Sequence, residues 1–426
     1  MEKYENLSPQ ECENELNRLN LLYEKIKAKD LKLDISRGKP GFDQCDISDE
    51  LFHQITDEAG YKSRTGIDCR NYGGLDGLDE LKNIFGEILG VPAAQVIVSG
   101  NSSLNLMFDF ITQCMVSGIN GCAPWAKQGT VKFLCPVPGY DRHFSVTEYY
   151  GVEMINIECD ENGPNMDEVE KLVAEDESIK GMWCVPKYSN PTGIVYGDET
   201  VRRIANMKTA AKDFVVMWDN AYAYHYIEEG IAPLLGIYDE CVKAGNPDRA
   251  LIFTSTSKIT FPGAGVAVMA GGAELTLQIK KRMGNQTIGP DKLNQLRHAR
   301  MFKTTEDIKV HMARHAAILK PKFEVVLNAF ENELEGLGIA QWSKPAGGYF
   351  INLDLLDGCA ARTAELCKNA GLVLTGAGAT YPYGKDARDR NLRIAPSYPE
   401  CAELEPAAAL LCICVRIAAL EKLKNN

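Results

Sequence analysis

The chain has 426 residues, of which 45% are hydrophobic and 24% are charged, and its formal net charge is −12. This length exceeds what one hydrophobic core usually serves, so we expect two domains, and the acidic balance argues against a nucleic-acid-binding face. The first residues carry no apolar signal core, and the most apolar stretch, residues 406–420, is short and interrupted by Arg416, so neither export nor a membrane span is predicted.

The predicted elements begin with an amphipathic helix over residues 10–29, where Leu16, Leu19 and Tyr23 recur at three- and four-residue spacing. From about residue 95 to 270, continuous apolar runs alternate with helical stretches, which favours a mostly parallel sheet covered on both faces. The strand candidates are 96–99, 131–135, 154–157, 181–185, 214–218, 251–255 and 266–270.

After about residue 290 the pattern changes. A long helix is predicted over 304–333, followed by strand candidates at 349–353, 372–375 and 392–395 and a last helix. We therefore predict an α/β fold, with a large doubly wound domain over 46–305 and a smaller α+β domain formed by 1–45 and 306–426. Such an arrangement places a site in the cleft between the two domains.

The cysteines indicate the cellular compartment in which the protein is expected. All 14 are scattered through the chain without a C-x-x-C pair. In a long acidic chain without an export signal, they are typical of reduced thiols packed as small hydrophobic side chains. The sequence therefore predicts a cytoplasmic protein.

Lys258 is the most informative residue. It follows the apolar run 250–253 and the hydroxyl-rich segment 254–257. An ammonium at the end of a core strand loses hydration, so its presence there favours a use such as a Schiff base to an aldehyde cofactor, with the neighbouring hydroxyls holding a phosphate. A lysine that snorkels to the surface is the structural alternative.

Polar residues also follow the other predicted strands, where ligands bind in open α/β sheets. Ser102 and Ser103 begin a helical stretch that could hold a phosphate, although plain capping by serine is an alternative. Tyr140 could stack on a planar ligand and Asn190 could bind a phenolic oxygen, but both also suit turns. Asp219 needs a cationic partner such as a pyridinium nitrogen unless it only caps a helix, and Tyr222 follows it on the same segment.

Taken together, these segments form an ordered set. They are Gly-Asn-Ser-Ser at 100–103, Pro-Gly-Tyr at 138–140, Asn-Pro-Thr-Gly at 190–193, Asp-x-x-Tyr at 219–222 and Ser-x-Ser-Lys at 255–258. In this respect the chain resembles the class I aminotransferases, pyridoxal-phosphate enzymes of fold type I, from about residue 34 to 399.

Further motifs are similar to the bacterial aspartate aminotransferase subgroup called type Ic. They are Ser-Arg-Gly-Lys-Pro at 36–40, Asn-Tyr-Gly-Gly at 71–74, Tyr-Asp-Arg-His-Phe at 140–144, Gly-Gly-Tyr-Phe at 347–350 and Arg-Ile-Ala-Pro-Ser at 393–397.

The resemblance implies a role for each matched residue. Lys258 would form the Schiff base and carry the proton, and Asp219 would pair with the pyridinium nitrogen. Arg393 would bind the substrate α-carboxylate as a planar fork. The remaining cofactor contacts would come from Tyr222 and Asn190 at the ring oxygen, Tyr140 stacked on the ring, and Ser102, Ser103, Ser255 and Ser257 at the phosphate.

Two further implications concern assembly and substrate. Tyr72 would reach the phosphate of a neighbouring subunit, so the resemblance implies a homodimer with shared active sites. Gly38 would lie close to the substrate. One feature departs from the family pattern, because Gly265 and Val266 occupy the positions where many relatives carry a phosphate-binding arginine. Arg297 and Lys292 are the alternative cations that the sequence offers.

The hypothesis is therefore transamination between an L-amino acid and a keto acid, with aspartate and 2-oxoglutarate as the substrates. Arg37 is the first candidate for the distal carboxylate, followed by Lys39 and Arg297. The alternatives are an alanine or aromatic aminotransferase, a β-lyase, or a regulator with an aminotransferase-like domain. No metal is predicted, because His311 and His315, four residues apart, are expected to be solvated helix residues.

Overall fold

The computed structural model describes residues 3–56, 60–228 and 233–424, so residues 1–2 and 425–426 of the predicted small domain lie outside it. The strands are β1 (Leu33–Asp34), β2 (Val96–Val98), β3 (Lys132–Val137), β4 (Glu153–Asp160), β5 (Gly163–Pro164), β6 (Ile179–Cys184), β7 (Val215–Asp219), β8 (Ala250–Ser255), β9 (Ala267–Gly271), β10 (Ala340–Trp342), β11 (Ile351–Leu355), β12 (Leu372–Val373) and β13 (Asn391–Ile394).

The helices cover both the large sheet and the smaller sheets. They are α1 (Pro9–Lys27), α2 (Phe42–Asp46), α3 (Asp79–Leu89), α4 (Ser103–Ser117), α5 (Asp141–Tyr149), α6 (Met166–Glu175), α7 (Asp198–Asn206), α8 (Ile237–Lys243), α9 (Ala273–Gln286), α10 (Lys292–Met301), α11 (Thr305–Glu333), α12 (Ala360–Asn369) and α13 (Cys401–Lys424).

The largest sheet in the described part of the chain has the strand order β2-β9-β8-β7-β6-β3-β4-β5. The run from β8 to β4 is parallel, whereas β9 is antiparallel to both of its neighbours and β5 is antiparallel to β4. Because β2 and β9 are antiparallel, as are β9 and β8, β2 points in the same direction as the parallel strands. The carboxyl ends of β2, β8, β7, β6 and β3 therefore meet at one edge of the sheet.

The two faces of this sheet are buried in separate hydrophobic clusters. Val216 and Trp218 of β7 belong to one cluster, whereas Val215 and Met217 belong to the other. This alternation follows from the two-residue period of a strand. It explains why β7 is apolar throughout and why its final residue, Asp219, is conspicuous.

A third cluster packs around the smaller sheets, which have the orders β10-β11-β13 and β1-β12. It joins α1, α11 and α13, so both ends of the chain contribute to one core. Arg416 of α13 ties these ends together through ion pairs to Glu15 (2.5 Å) and Glu333 (2.6 Å). The predicted α/β class with a second, smaller α+β unit is confirmed, while the boundaries near residues 45 and 305 stay a prediction.

The predicted strands and long helices are present, with their ends shifted by a few residues. The short strands β1, β5 and β10 were not predicted, because two- and three-residue strands carry no recognisable period. The apolar stretch 406–420 lies in the buried helix α13. Within the described residues, no helix has the length and apolar character needed to cross a bilayer.

Candidate active site

A cavity of about 700 Å³ opens at the edge of the large sheet where the parallel strands end. Twelve predicted site residues line it: Arg37, Gly38, Ser102, Ser103, Tyr140, Asn190, Asp219, Tyr222, Ser255, Ser257, Lys258 and Arg393. Tyr72 is not among the lining residues, and 81% of its surface is exposed. These twelve residues thus meet at one cavity, whereas Tyr72, which the resemblance assigns to a neighbouring subunit, does not line it.

Lys258 lies just beyond β8, and its backbone is held in place. Its carbonyl oxygen accepts hydrogen bonds from His225 Nε2 (3.3 Å) and from the hydroxyl of Tyr349 (3.5 Å). Its ammonium lies 5.0 Å from the ring centroid of Tyr222. Burial lowers the pKa of Lys258, and the negative charge of Asp219 opposes part of that shift. A lowered pKa makes the neutral amine more available for nucleophilic attack and for proton transfer.

Asp219 ends β7 and is only 4% exposed. One carboxylate oxygen, Oδ2, lies 3.0 Å from His143 Nε2, which must carry the proton because a carboxylate only accepts. The other oxygen, Oδ1, is buried and has no hydrogen-bond partner among the described residues. The His143 ring is in turn stacked on Trp183, with centroids 4.2 Å apart. The carboxylate is therefore fixed in orientation, with one oxygen left for a cationic ligand.

Two tyrosines lie beside this carboxylate. Tyr140 packs edge-on against His143, with centroids 4.9 Å apart, and Tyr222 is 3% exposed. Burial raises the pKa of Tyr140 to about 12, and burial likewise raises the pKa of Tyr222 well above its usual range. Both phenols therefore keep their protons at neutral pH and can donate hydrogen bonds to a ligand oxygen.

Four serines line the cavity at the ends of two strands: Ser102 and Ser103 follow β2, Ser255 ends β8 and Ser257 comes just after it. Ser102 precedes α4, yet its side chain makes no capping hydrogen bond, so the alternative of plain serine capping does not hold at this residue. The Ser255 hydroxyl donates to Ser257 Oγ (3.1 Å), which donates to the carbonyl of Asn101 (3.2 Å). Hydroxyls beside a helix N-terminus form an anion site.

No side-chain cation of α10 reaches this part of the cavity. Lys292 and Arg297, the two cations that the sequence offered, are absent from the lining residues. Val266, one of the two positions at which the resemblance would place an arginine, is 1% exposed and belongs to the sheet core. Within the described residues of this one chain, the four serines thus have no cation of α10 beside them in the cavity lining.

Arg393 projects from β13 and is 6% exposed. Its Nη1 donates to Asp141 Oδ1 (2.7 Å) and to Asn190 Oδ1 (3.3 Å), and its Nη2 donates to Thr375 Oγ1 (3.4 Å). The guanidinium lies 4.8 Å from the ring centroid of Phe350.

Gly38 packs against the same phenylalanine. A Cβ at Gly38 would lie 2.3 Å from Phe350 Cζ, so any larger residue would force the Phe350 ring to move.

Three other cations line the mouth of the cavity: Arg37, Lys39 and Arg142. The ammonium of Lys39 lies 3.6 Å from the ring centroid of Tyr398, so it is already engaged in a cation–π contact. Arg37 and Arg142 are exposed, and their guanidinium groups make no ion pair with the described residues. They are therefore available to an anionic ligand.

A buried hydrogen-bond network beneath Lys258 was missed by the sequence interpretation. Gln44 Nε2 donates to the hydroxyl of Tyr349 (3.0 Å) and lies 3.1 Å from His315 Nδ1. His315 Nε2 and His311 Nε2 lie 2.9 and 2.8 Å from the carbonyl oxygen of Ile259, the residue after Lys258. The network links α2 and α11 to the lysine-bearing segment.

The prediction that His311 and His315 are solvated was wrong. They are 4% and 0% exposed, because they lie on the face of α11 that also carries Ile308, Met312 and Leu319. That apolar periodicity was the signal that could have revealed their burial. No group of three or more metal-ligand side chains occurs in the part of the chain that the structure describes.

Comparison with known proteins gives the family. The model of the aspartate amino-transferase family matches residues 7–426. The chain is 48% identical to an aspartate aminotransferase of Corynebacterium glutamicum over 404 aligned residues. The alignment covers 95% of this chain and 93% of that protein. The crystal structure of an aspartate transaminase from Corynebacterium glutamicum, at 45% identity, has a TM-score of 0.95 and covers 98% of this chain and 99% of that chain.

A more distant structure shares the fold. It is an α-aminoadipate aminotransferase from Thermus thermophilus complexed with N-(5'-phosphopyridoxyl)-L-leucine, with 19% identity, a TM-score of 0.74 and coverage of 92% of each chain.

Proposed function

This chain belongs to the aspartate aminotransferase family and is a pyridoxal-phosphate-dependent aminotransferase, and we propose that it transfers the amino group of aspartate to 2-oxoglutarate by a ping-pong mechanism. The observation that carries this proposal is that Lys258, Asp219 and Arg393 face one cavity. A covalent anchor, a partner for a ring nitrogen and a carboxylate receptor are the groups that this chemistry requires.

The residues of the cavity fit pyridoxal phosphate. The buried Asp219 Oδ1 without a partner suits a protonated ring nitrogen, which would neutralise an otherwise uncompensated charge. Asn190 and the protonated Tyr222 would hold the ring oxygen, and Tyr140 would cover the ring.

The remaining residues suit the phosphate. Ser102, Ser103, Ser255 and Ser257 would hold it together with the N-terminus of α4. When bound, the cofactor supplies an aldehyde for amino groups and a ring that accepts the electrons released at the α-carbon.

Lys258 would have two roles in the reaction. Its ε-amine would anchor the cofactor, and once free it would take the α-proton of the substrate and return it at the cofactor end. The lowered pKa of Lys258, caused by burial, supports both roles, since each requires a neutral amine. The hydrogen bonds from His225 and Tyr349 to its carbonyl oxygen keep the side chain directed into the cavity.

The cations at the cavity support a dicarboxylate substrate. Arg393 would bind the α-carboxylate, and Arg37 would bind the distal carboxylate, because Arg37 is an exposed lining residue without an ion-pair partner in the described chain. Lys39 is a weaker candidate, because its ammonium already contacts Tyr398. Gly38 would keep the space between the two cations clear for the substrate.

We further propose that the protein forms a homodimer and is located in the cytoplasm. Tyr72 is 81% exposed, which leaves its hydroxyl available to the phosphate in a second copy of the chain. Neither Lys292 nor Arg297 lines the cavity, so a hydrogen-bond donor supplied by a neighbouring subunit would add to the phosphate contacts of the serines. All 14 cysteines are free thiols, which is typical of a reducing compartment.

The test is an amino-donor panel on the purified protein loaded with cofactor, followed by the loss of the visible absorbance of the lysine-bound cofactor. Aspartate and glutamate should discharge this absorbance fastest, and 2-oxoglutarate should restore it. Faster discharge by alanine or by aromatic amino acids would replace the proposed specificity. Pyruvate and ammonia from a cysteine conjugate, without any keto acid, would replace the proposed reaction with β-elimination.

A further inference from the structure

The cavity contains a carboxylate in contact with the arginine that is proposed to bind substrate carboxylates. Asp141 Oδ1 lies 2.7 Å from Arg393 Nη1. The same Nη1 also donates to Asn190 Oδ1 (3.3 Å), so both of its hydrogens are committed. The Nε atom of Arg393 is buried and has no hydrogen-bond partner among the described residues, so the guanidinium cannot offer that edge to a ligand without moving. A two-point fork to a substrate carboxylate therefore needs one of these two hydrogens, and Asp141 is the partner that a second carboxylate would replace in kind.

The position of Asp141 in its helix does not by itself explain this pair. Asp141 is the first residue of α5, where a negative charge is favourable whichever way the side chain points. Asp198, the first residue of α7, holds the same helical position and pairs with Arg202 at 3.3 Å on the protein surface. Asp141 differs because its partner is a buried arginine inside the cavity.

The exposures of the two partners make an exchange of carboxylates feasible. The Arg393 side chain is 7% exposed, whereas that of Asp141 is 31% exposed. Leaving the guanidinium without an anion would be costly, but Asp141 can turn towards solvent and remain hydrated. A substrate carboxylate can thus replace Asp141 while Arg393 stays paired and Asp141 stays hydrated.

We propose that Asp141 is a positioning residue that occupies Arg393 in the substrate-free enzyme and is displaced by the α-carboxylate of the substrate. This inference rests on the proposed function, because it takes Arg393 as the carboxylate receptor. Asp141 keeps the guanidinium paired and correctly oriented while the cavity is empty. The cost of displacing Asp141 weakens carboxylate binding and raises KM, while the steps after binding are unaffected.

The experiment measures the dissociation constant of succinate, an unreactive dicarboxylate, for the cofactor-loaded enzyme by titration of its visible absorbance. The variants are Asp141→Asn, Arg393→Gln and the matched control Asp198→Asn. Asp141→Asn should bind succinate about 5- to 30-fold more tightly, because the asparagine amide oxygen still accepts from Arg393 but the competing hydrogen bond is no longer charge-assisted. Its KM for aspartate should fall in parallel with little change in kcat, and Asp198→Asn should match the unsubstituted enzyme.

The outcomes separate this inference from the proposed function. Unchanged succinate binding in Arg393→Gln would overturn Arg393 as the carboxylate receptor, and with it both proposals. Loss of binding in Arg393→Gln together with equal or weaker binding in Asp141→Asn would overturn the role of Asp141 alone. Asp141→Ser, which also suits a helix N-terminus, provides a second variant should the asparagine protein fail to fold.

Discussion

His143 donates a hydrogen bond to Asp219 across 3.0 Å, and the second carboxylate oxygen of Asp219 is buried without a partner in the part of the chain that the structure describes. The imidazole is held by stacking on Trp183, so the sheet core determines where the carboxylate points. His143 and Trp183 thereby orient Asp219, the residue proposed to pair with the cofactor ring, although neither of them lines the cavity.

Replacing His143 should therefore weaken cofactor binding without removing it. We expect His143→Ala to raise the dissociation constant of pyridoxal phosphate about 10- to 100-fold, because a hydrogen bond to a charged group is worth about 1.5–3 kcal/mol. His143→Gln, which can still donate, should lose less. Cofactor titration followed by fluorescence measures both constants, and equal affinities in the two variants and the unsubstituted protein would contradict the role of His143.

Replacing Lys258 should remove the covalent link to the cofactor. Lys258→Ala should abolish turnover and the visible absorbance of the lysine-bound cofactor, and borohydride should no longer attach the cofactor to the chain. Lys187→Ala is the control, because Lys187 is another lysine whose pKa burial lowers but which does not line the cavity. Borohydride labelling that persists in Lys258→Ala would show that a different amine of the chain binds the cofactor.

Replacing Arg37 should separate dicarboxylate from monocarboxylate substrates. We expect Arg37→Ala to lower kcat/KM for aspartate by about 10- to 100-fold, the value of one charge-assisted contact, and to change that for alanine little. Steady-state rates with the two amino donors supply the comparison within one protein. Equal losses for both donors would remove Arg37 from the distal-carboxylate site, and Arg142→Ala would then be the next variant to examine.

A buried ion pair away from the cavity should carry much of the local stability. Asp213 pairs with Lys180 at 2.8 Å and accepts from Trp125 Nε1 at 3.0 Å, and both charged residues are almost fully buried. Asp213→Ala leaves a buried ammonium unpaired, so we expect a loss of about 3–5 kcal/mol in the free energy of unfolding.

Urea denaturation measures this loss. Lys180→Met combined with Asp213→Ala should recover part of it, because the double variant no longer buries an ammonium. Asp176→Asn, at the more exposed pair with Lys132, should cost under about 1 kcal/mol. A double variant as unstable as Asp213→Ala alone would show that the buried charge is not the cause.

Two buried histidines should make the fold sensitive to acid. Burial lowers the pKa of His298 and of His315 to about 4, below the ordinary value of 6.5. Between these pH values the unfolded chain binds more protons than the folded chain, so the stability present above pH 6.5 is lost as the pH falls towards 4. We expect a decrease of roughly 1–3 kcal/mol per histidine across that window.

Thermal unfolding as a function of pH tests this expectation. His298→Gln keeps a hydrogen-bonding side chain beside Thr256 and Thr260 but cannot titrate, so its stability should fall less steeply between pH 6.5 and 4. His53→Gln, at an exposed position, should keep the original slope. Parallel pH profiles for all three proteins would contradict the assignment to His298.

The sequence by itself was sufficient to predict the α/β class and most of the polar residues that line the cavity. Apolar runs reveal buried strands without reference to the rest of the chain, because each must be hydrophobic on both faces. A polar residue directly after such a run, such as Asp219 or Lys258, is then conspicuous. Parallel strands end at one edge of the sheet, so these residues were expected to meet.

Only the tertiary structure decided which groups support the site and which stay outside it. His143 lies 76 positions from Asp219 in the sequence, and Gln44 lies 305 positions from Tyr349 and 271 from His315. No local sequence pattern indicates that residues so far apart are in contact. The contact of Asp141 with Arg393 spans 252 positions and depends on how β13 faces α5. Pairing between distant side chains is set by packing geometry, and a single sequence carries the periodicity of its elements but not their mutual positions.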